Sequence, residues 1–303
     1  MKPRRTRERG PTSARQERVP ARLRPPSFLK RCVRLVRLAL HFLWGLILVA
    51  TTFPRLSPAR QNRVLRRWSR RLLAIADVRV QPIGMPEQLP ERMLLVTNHV
   101  SWLDIFVVHA VAPSIFIAKS EIRDWPLAGF LVARVGTLFL ERGRSRHAQQ
   151  TNGRIARELE AGRVVAVCPE GTTSDGSELK RFHAALLQPA IDAAAMVQPL
   201  ALRYVDARGE RTTAAAYVGD TSLLESVWRI VSEPRLVAEA HFTRPIRAAH
   251  HERRALAHEA ENAIRRALGL EASGSAHGTA HGPRVGSPQS PRPTRSPRRA
   301  PAD

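Results

Sequence analysis

A chain of 303 residues has room for one large domain or two small ones, and an apolar fraction of 43% is ordinary for a buried core. The formal net charge of +23 is not ordinary, and it points to a polyanionic partner, either nucleic acid or an anionic lipid surface. Two distant cysteines, Cys32 and Cys168, with no C-x-x-C pair, argue against a disulfide framework and against a thiolate zinc site.

The charge is concentrated at the ends. Residues 1–37 hold thirteen Lys/Arg against two Glu, and residues 272–303 hold five Arg against one Asp. Residues 1–27 and 272–303 are rich in Pro, Gly, Ser and Arg and poor in large apolar groups, so both are expected to be disordered basic tails.

Next comes an apolar run, Leu38–Phe53, with no Lys, Arg, Asp or Glu. It is shorter than the roughly 20 residues of a spanning helix. A signal peptide, a buried core helix and a membrane anchor compete for it. The basic n-region is too long for a signal peptide and no A-x-A site follows. Arg31, Arg34 and Arg37 before it and seven Arg from Arg55 to Arg71 after it favour an anchor that dips in and returns to the cytoplasmic side. Ser57-Pro58 then opens a second helix, with Leu65, Trp68, Leu72 and Ile75 at helical spacing between arginines. Such a helix suits an anionic membrane surface. Residues 28–76 are therefore expected to form anchor and amphipathic helices at the cytoplasmic face of the cell membrane.

Beyond Asp77 short apolar runs alternate with helical stretches. Strands are predicted at Met93–Thr97, Ile115–Lys119, Thr137–Leu140, Val164–Cys168, Val197–Arg203, Ala215–Val218 and Leu236–Phe242. Helices are predicted at Trp102–Ala112, Pro126–Val135, Arg146–Ala161, Leu179–Ala194 with a kink or break at Pro189, and Glu252–Leu268. This alternation predicts an α/β fold over residues 77–271, with a largely parallel central sheet flanked by helices.

Three strand ends carry chemistry, and ligand sites in open α/β sheets lie at such ends. Asn98-His99-Val100-Ser101-Trp102-Leu103-Asp104 follows MLLVT. If the chain turns into a helix there, Asp104 can hold one ring nitrogen of His99 and leave the other as a base. Gly136-Thr137-Leu138-Phe139-Leu140-Glu141-Arg142 ends in a guanidinium suited to phosphate. Pro169-Glu170-Gly171-Thr172-Thr173-Ser174 follows VVAVC and offers close backbone approach at Gly171 and a run of hydroxyls.

In this order and spacing the blocks resemble the glycerolipid acyltransferase family, which contains the 1-acylglycerol-3-phosphate acyltransferases. Its blocks N-H-x4-D, G-x-x-F-x-x-R and P-E-G-T match Asn98–Asp104, Gly136–Arg142 and Pro169–Thr172, and its weaker fourth block matches Val197–Leu200. The resemblance implies His99 as general base and Asp104 as its orienting partner. Asn98, Arg142, Glu170, Gly171 and Thr172 would bind the acceptor. It also implies an enzyme that moves a fatty acyl group from acyl-CoA or acyl carrier protein to the sn-2 hydroxyl of 1-acylglycerol-3-phosphate, without metal or other cofactor. Its partners would be lysolipid, acyl donor and an anionic membrane surface, with nucleic acid disfavoured. One departure bears on the acceptor: the family's P-E-G-T is usually followed by Arg, and this chain has Thr173. Lys180 and Arg181 are candidates to supply the missing charge. Alternatively the acceptor is a lyso-ornithine lipid, since P-E-G-T-T-S-D-G resembles members that acylate it. A basic polyanion- or membrane-binding protein is the reading from a different class.

Overall fold

The computed structural model describes residues 24–140 and 145–270. Two helices lead: α1 (Phe28–Thr51), whose N-cap Ser27 accepts from the Lys30 amide, and α2 (Pro58–Ile75), with proline in its first turn. The rest alternates as β1 (Val78–Ile83), β2 (Met93–Thr97), α3 (Asp104–Val111), β3 (Ile115–Lys119), α4 (Ala128–Arg134), β4 (Leu138–Leu140), α5 (Ser145–Glu160) and β5 (Val164–Val167). Then follow α6 (Gln188–Asp192), β6 (Met196–Val205), α7 (Leu223–Ser232), β7 (Leu236–Phe242), β8 (Ile246–Arg247) and α8 (Arg253–Ala267), with short 3-10 turns at Ser120–Asp124 and Ala184–Leu186.

The strands form one sheet in the order β1-β7-β6-β2-β5-β3-β4. β6, β2, β5, β3 and β4 are mutually parallel, and β7 and β8 pair antiparallel along opposite halves of β6. Pro82 lies in β1, at one edge of the sheet, where a missing backbone donor is tolerated.

β2 is apolar throughout because both its faces are covered. Met93 and Leu95 join a core with Leu72 and Leu73 of α2, Val107 and Val108 of α3 and Ile230 of α7. Leu94 and Val96 join the opposite core, with Ile155 and Leu159 of α5, Leu187 and Leu256 and Ile264 of α8. Period-two alternation thus divides one apolar strand between two helical layers.

Several expectations change. The apolar face of α2 does not lie on a membrane: Leu72, Leu73 and Ile75 are buried in the core. Two of its arginines act inward as well, Arg70 donating to the Ala110 carbonyl at 3.0 Å and Arg66 to that of Val111 at 3.3 Å, which satisfies orphan carbonyls at the end of α3. All but the last two residues of the Leu38–Phe53 run fall on a longer helix, α1, one stripe of which (Arg34, Leu38, His41, Gly45 and Val49) is buried against the protein, and Phe53 opens a short 3-10 turn after it. Leu179–Ala194 is not one helix; Pro189 lies in the first turn of the short α6, where its lost N–H costs nothing, instead of breaking a longer helix. Ala215–Val218 is irregular because its backbone bonds to the site loops and not to a neighbouring strand. β1, β8 and α7 are additional elements. The start of α7 carries a readable signal, Ser222 followed three residues later by Glu225, and the Ser222 hydroxyl accepts from the Glu225 amide at 3.2 Å.

Candidate active site

The site lies where the adjacent parallel strands β2 and β5 end. After Thr97 the chain leaves the sheet and turns into α3, and the first residue of that helix is Asp104. Its carboxylate folds back over the turn. Asp104 Oδ2 accepts from the Val100 amide at 2.7 Å, the Ser101 amide at 2.9 Å and His99 Nδ1 at 2.8 Å. The spacing of His99 and Asp104 is what lets one carboxylate collect all three donors. A negative group at a helix N-terminus is further favoured by the helix dipole.

The two side chains are exposed unequally. Asp104 is fully buried, whereas 25% of the His99 side chain reaches solvent. An ionised carboxylate is acceptor-only, so His99 Nδ1 must carry the proton that bonds it. Nε2 is then the basic nitrogen, and it has no partner among the described residues.

Glu170, three residues beyond the end of β5 at Val167, is buried and bidentate to the backbone. Oε1 accepts from the His99 amide at 2.7 Å and Oε2 from the Lys180 amide at 2.9 Å. Burial pushes its carboxyl up, and the two backbone donors pull against that. Asn98 is likewise buried, donating to the Leu202 carbonyl at 2.9 Å and accepting from the Leu202 amide at 2.7 Å. Asn98 and Glu170 therefore tie the His99 loop to β6 and to the 180 segment. Both side chains were expected to contact the acceptor; in the structure their polar atoms are buried and bonded to backbone groups.

Gly171 has φ of +68°, a left-handed conformation that suits glycine, and Thr172 beside it is exposed. The Thr173 hydroxyl donates to the Tyr217 carbonyl at 2.5 Å, the Ser174 amide to the His99 carbonyl at 2.8 Å, and the Tyr217 amide to the Val100 carbonyl at 2.9 Å. The loops after β2 and β5 and the 214–218 segment are thereby laced together. Lys180 donates its ammonium to the Thr173 carbonyl at 3.1 Å, and Arg181 is exposed. Arg142 lies outside the described residues.

Two groups at the site were not anticipated. The Tyr204 hydroxyl, from the end of β6, donates to Asp104 Oδ1 at 2.7 Å. Burial, then the charge of Asp104 and the bond to it, push that phenol well up, so it stays a donor. The signal was available: a hydroxyl inside an apolar strand needs a buried partner. Cys168 is the other. Burial pushes its thiol well up and the charges of Asp104 and Glu170 add to this, which makes it a poor nucleophile.

Comparison with known proteins places the site in context. A family model described as Acyltransferase matches residues 81–203, a span that contains every block from Asn98 to Thr172. The lyso-ornithine lipid O-acyltransferase of Pseudomonas aeruginosa is 39% identical over 212 residues, 70% of this chain and 80% of that protein. The 1-acyl-sn-glycerol-3-phosphate acyltransferase of Neisseria meningitidis serogroup B is 41% identical over 210 residues, 69% of this chain and 82% of the other. Among solved structures, the 1-acyl-sn-glycerophosphate (LPA) acyltransferase PlsC of Thermotoga maritima aligns with a TM-score of 0.56 at 18% identity, over 79% of this chain and 97% of that one, a likeness of fold.

Proposed function

This chain belongs to the acyltransferase family, as a glycerolipid acyltransferase of the lysolipid type, and from that premise we propose that it acylates the sn-2 hydroxyl of 1-acylglycerol-3-phosphate, with acyl-CoA or acyl carrier protein as donor. The observation that carries the chemistry is the buried Asp104 carboxylate on Nδ1 of a ring whose Nε2 is left open. His99 Nε2 takes the acceptor's hydroxyl proton as the oxygen attacks the thioester carbonyl. The tetrahedral intermediate collapses, the carbon–sulfur bond breaks, and the thiolate receives the proton back from His99. Ester and free thiol leave together. Asp104 fixes the tautomer and stabilises the ring while it is charged.

Acceptor binding is assigned to Arg142, Gly171 and Thr172, with Lys180 as a second cation near the turn. A lyso-ornithine lipid is the alternative acceptor. Thr173 favours it, because that position donates to Tyr217 and carries no charge for a phosphate. The 39% identical relative that bears that name supports it as well.

The protein works from the membrane boundary. α1 packs one stripe on the domain from Arg34 to Val49, and presents Leu40, Leu43, Trp44 and Ile47 outward. A helix packed along its length lies in the boundary beside its domain more readily than it crosses. This boundary is the cytoplasmic leaflet, where acyl donors are found.

The deciding experiment supplies purified protein with a labelled acyl donor and, in parallel, 1-acylglycerol-3-phosphate or lyso-ornithine lipid in detergent micelles. Turnover of the first and not the second is expected, and the reverse transfers the assignment to the alternative. His99→Ala should lower kcat by at least about a thousandfold while the melting temperature stays within a few degrees. Substantial remaining turnover removes His99 as the base.

A further inference from the structure

We propose that Tyr204 is a positioning residue of the acyl-transfer reaction, completing the hydrogen-bond shell of Asp104 and so setting the basicity of His99. This rests on the reading of His99 as base. Asp104 is fully buried, so water does not serve its oxygens. Oδ2 already takes three donors, from His99, Val100 and Ser101. Oδ1 is served by the Tyr204 hydroxyl at 2.7 Å. Without it, one oxygen of a buried anion has no donor among the described residues, and such an oxygen relieves itself by binding a proton.

Tyr204 reaches this place from a strand remote in sequence. β6 pairs in parallel with β2, and Asn98 bonds both backbone groups of Leu202, which sets the register two residues before Tyr204. The same clamp that holds the His99 loop therefore aims the phenol. The titratable groups facing Asp104 are His99 from its own loop, Tyr204 from β6, and Cys168 and Glu170 from the end of β5. Of that set Tyr204 serves Oδ1 and His99 serves Oδ2.

Loss of the hydroxyl has one sign by either route. Asp104 accepts a proton more readily, or it holds the proton of charged His99 more tightly. Both move the acidic limb of the kcat profile to higher pH. A hydrogen bond to a charged, water-excluded group supports an effect of roughly ten- to a hundredfold.

The test uses the full chain with whichever of the two lysolipids it turns over. At a fixed pH on the acidic limb, Tyr204→Phe should lower kcat about ten- to a hundredfold, because the limb shifts upward, and should leave the acceptor KM within about twofold. In an Asp104→Asn background the same substitution should cost less than about twofold more, as expected of residues acting through one contact. A kcat within twofold of the parent with an unmoved limb, or full additivity with Asp104→Asn, overturns the proposal. If Tyr204→Phe does not fold, fluorotyrosine replaces it, since the chain has only Tyr204 and Tyr217. In a Tyr217→Phe background the more acidic phenol should move the limb downward, and an unmoved limb overturns the proposal equally. His99→Ala separates the two levels: turnover retained there defeats the base assignment itself, whereas His99→Ala inactive with Tyr204→Phe unimpaired defeats this proposal alone.

Discussion

His109 lies in α3, its ring edge-on to Phe116 at 5.1 Å and its Nδ1 3.4 Å from the Ser114 amide. Burial pushes its pKa down to about 4 from an ordinary 6.5. The unfolded chain therefore binds this proton first as pH falls. Stability owed to the neutral ring is complete above pH 6.5, declines from there, and levels off below about pH 4, a loss on the order of 3 kcal/mol. His109→Leu should flatten the fall in melting temperature between pH 6.5 and 4, and an unaltered slope would show that other groups cause it. The residues around the active site differ in how legible they were. The spacing of His99 and Asp104 is local, so their partnership could be read along the chain. Asn98 and Glu170 bond to Leu202 and Lys180, and nothing in the local sequence distinguishes such a brace from a ligand.

Between elements, α1 packs closely on α2. The His41 ring stacks on Trp68 at 4.7 Å between centroids, and Gly45 lies against the same indole. A Cβ added at Gly45 would sit 2.8 Å from a Trp68 ring carbon. Further along, buried Arg34 pairs with Asp77 and donates to the Val231 carbonyl at 2.8 Å, joining α1 to β1 and α7. Gly45→Val should overpack this junction by about 1–3 kcal/mol and lower the melting temperature by several degrees; an unchanged thermal transition would mean that the helices are not interlocked there. α2 explains why a pattern can be read correctly and placed wrongly. Apolar residues at helical spacing among arginines satisfy a membrane surface and a protein core equally well, and only the neighbours decide. Here Leu72 and Leu73 have α3 and the sheet to cover them.

At the scale of the molecule, apolar surface remains uncovered on one side of α1. Leu40 is 60% exposed and Trp44 57%, and Leu43 and Ile47 are exposed with them. Patches of this kind mark contact with lipid or protein. Among the described residues α1 is the one helix long and apolar enough to cross a bilayer. Leu40→Gln, Leu43→Gln and Ile47→Gln together should reduce co-sedimentation with anionic phospholipid vesicles several-fold, since each removes roughly 1–2 kcal/mol of apolar burial. Turnover of lysolipid in detergent micelles should persist. Vesicle binding at the parent level would show that α1 is not the membrane-facing surface.

Short apolar runs and helical patterns placed most strands and helices, their alternation implied a largely parallel sheet, and the block spacings brought out His99 and Asp104, because each of these is a property of neighbouring residues. Ala215–Val218 went the other way: an apolar run that reads as a strand bonds instead to the loops at Val100 and Thr173, which are more than forty positions distant. Tyr204 on Asp104, the outward face of α1 and the inward face of α2 likewise arise from contacts between segments far apart in the chain. Such contacts depend on register, crossover and packing, and these exist only once the sheet has assembled.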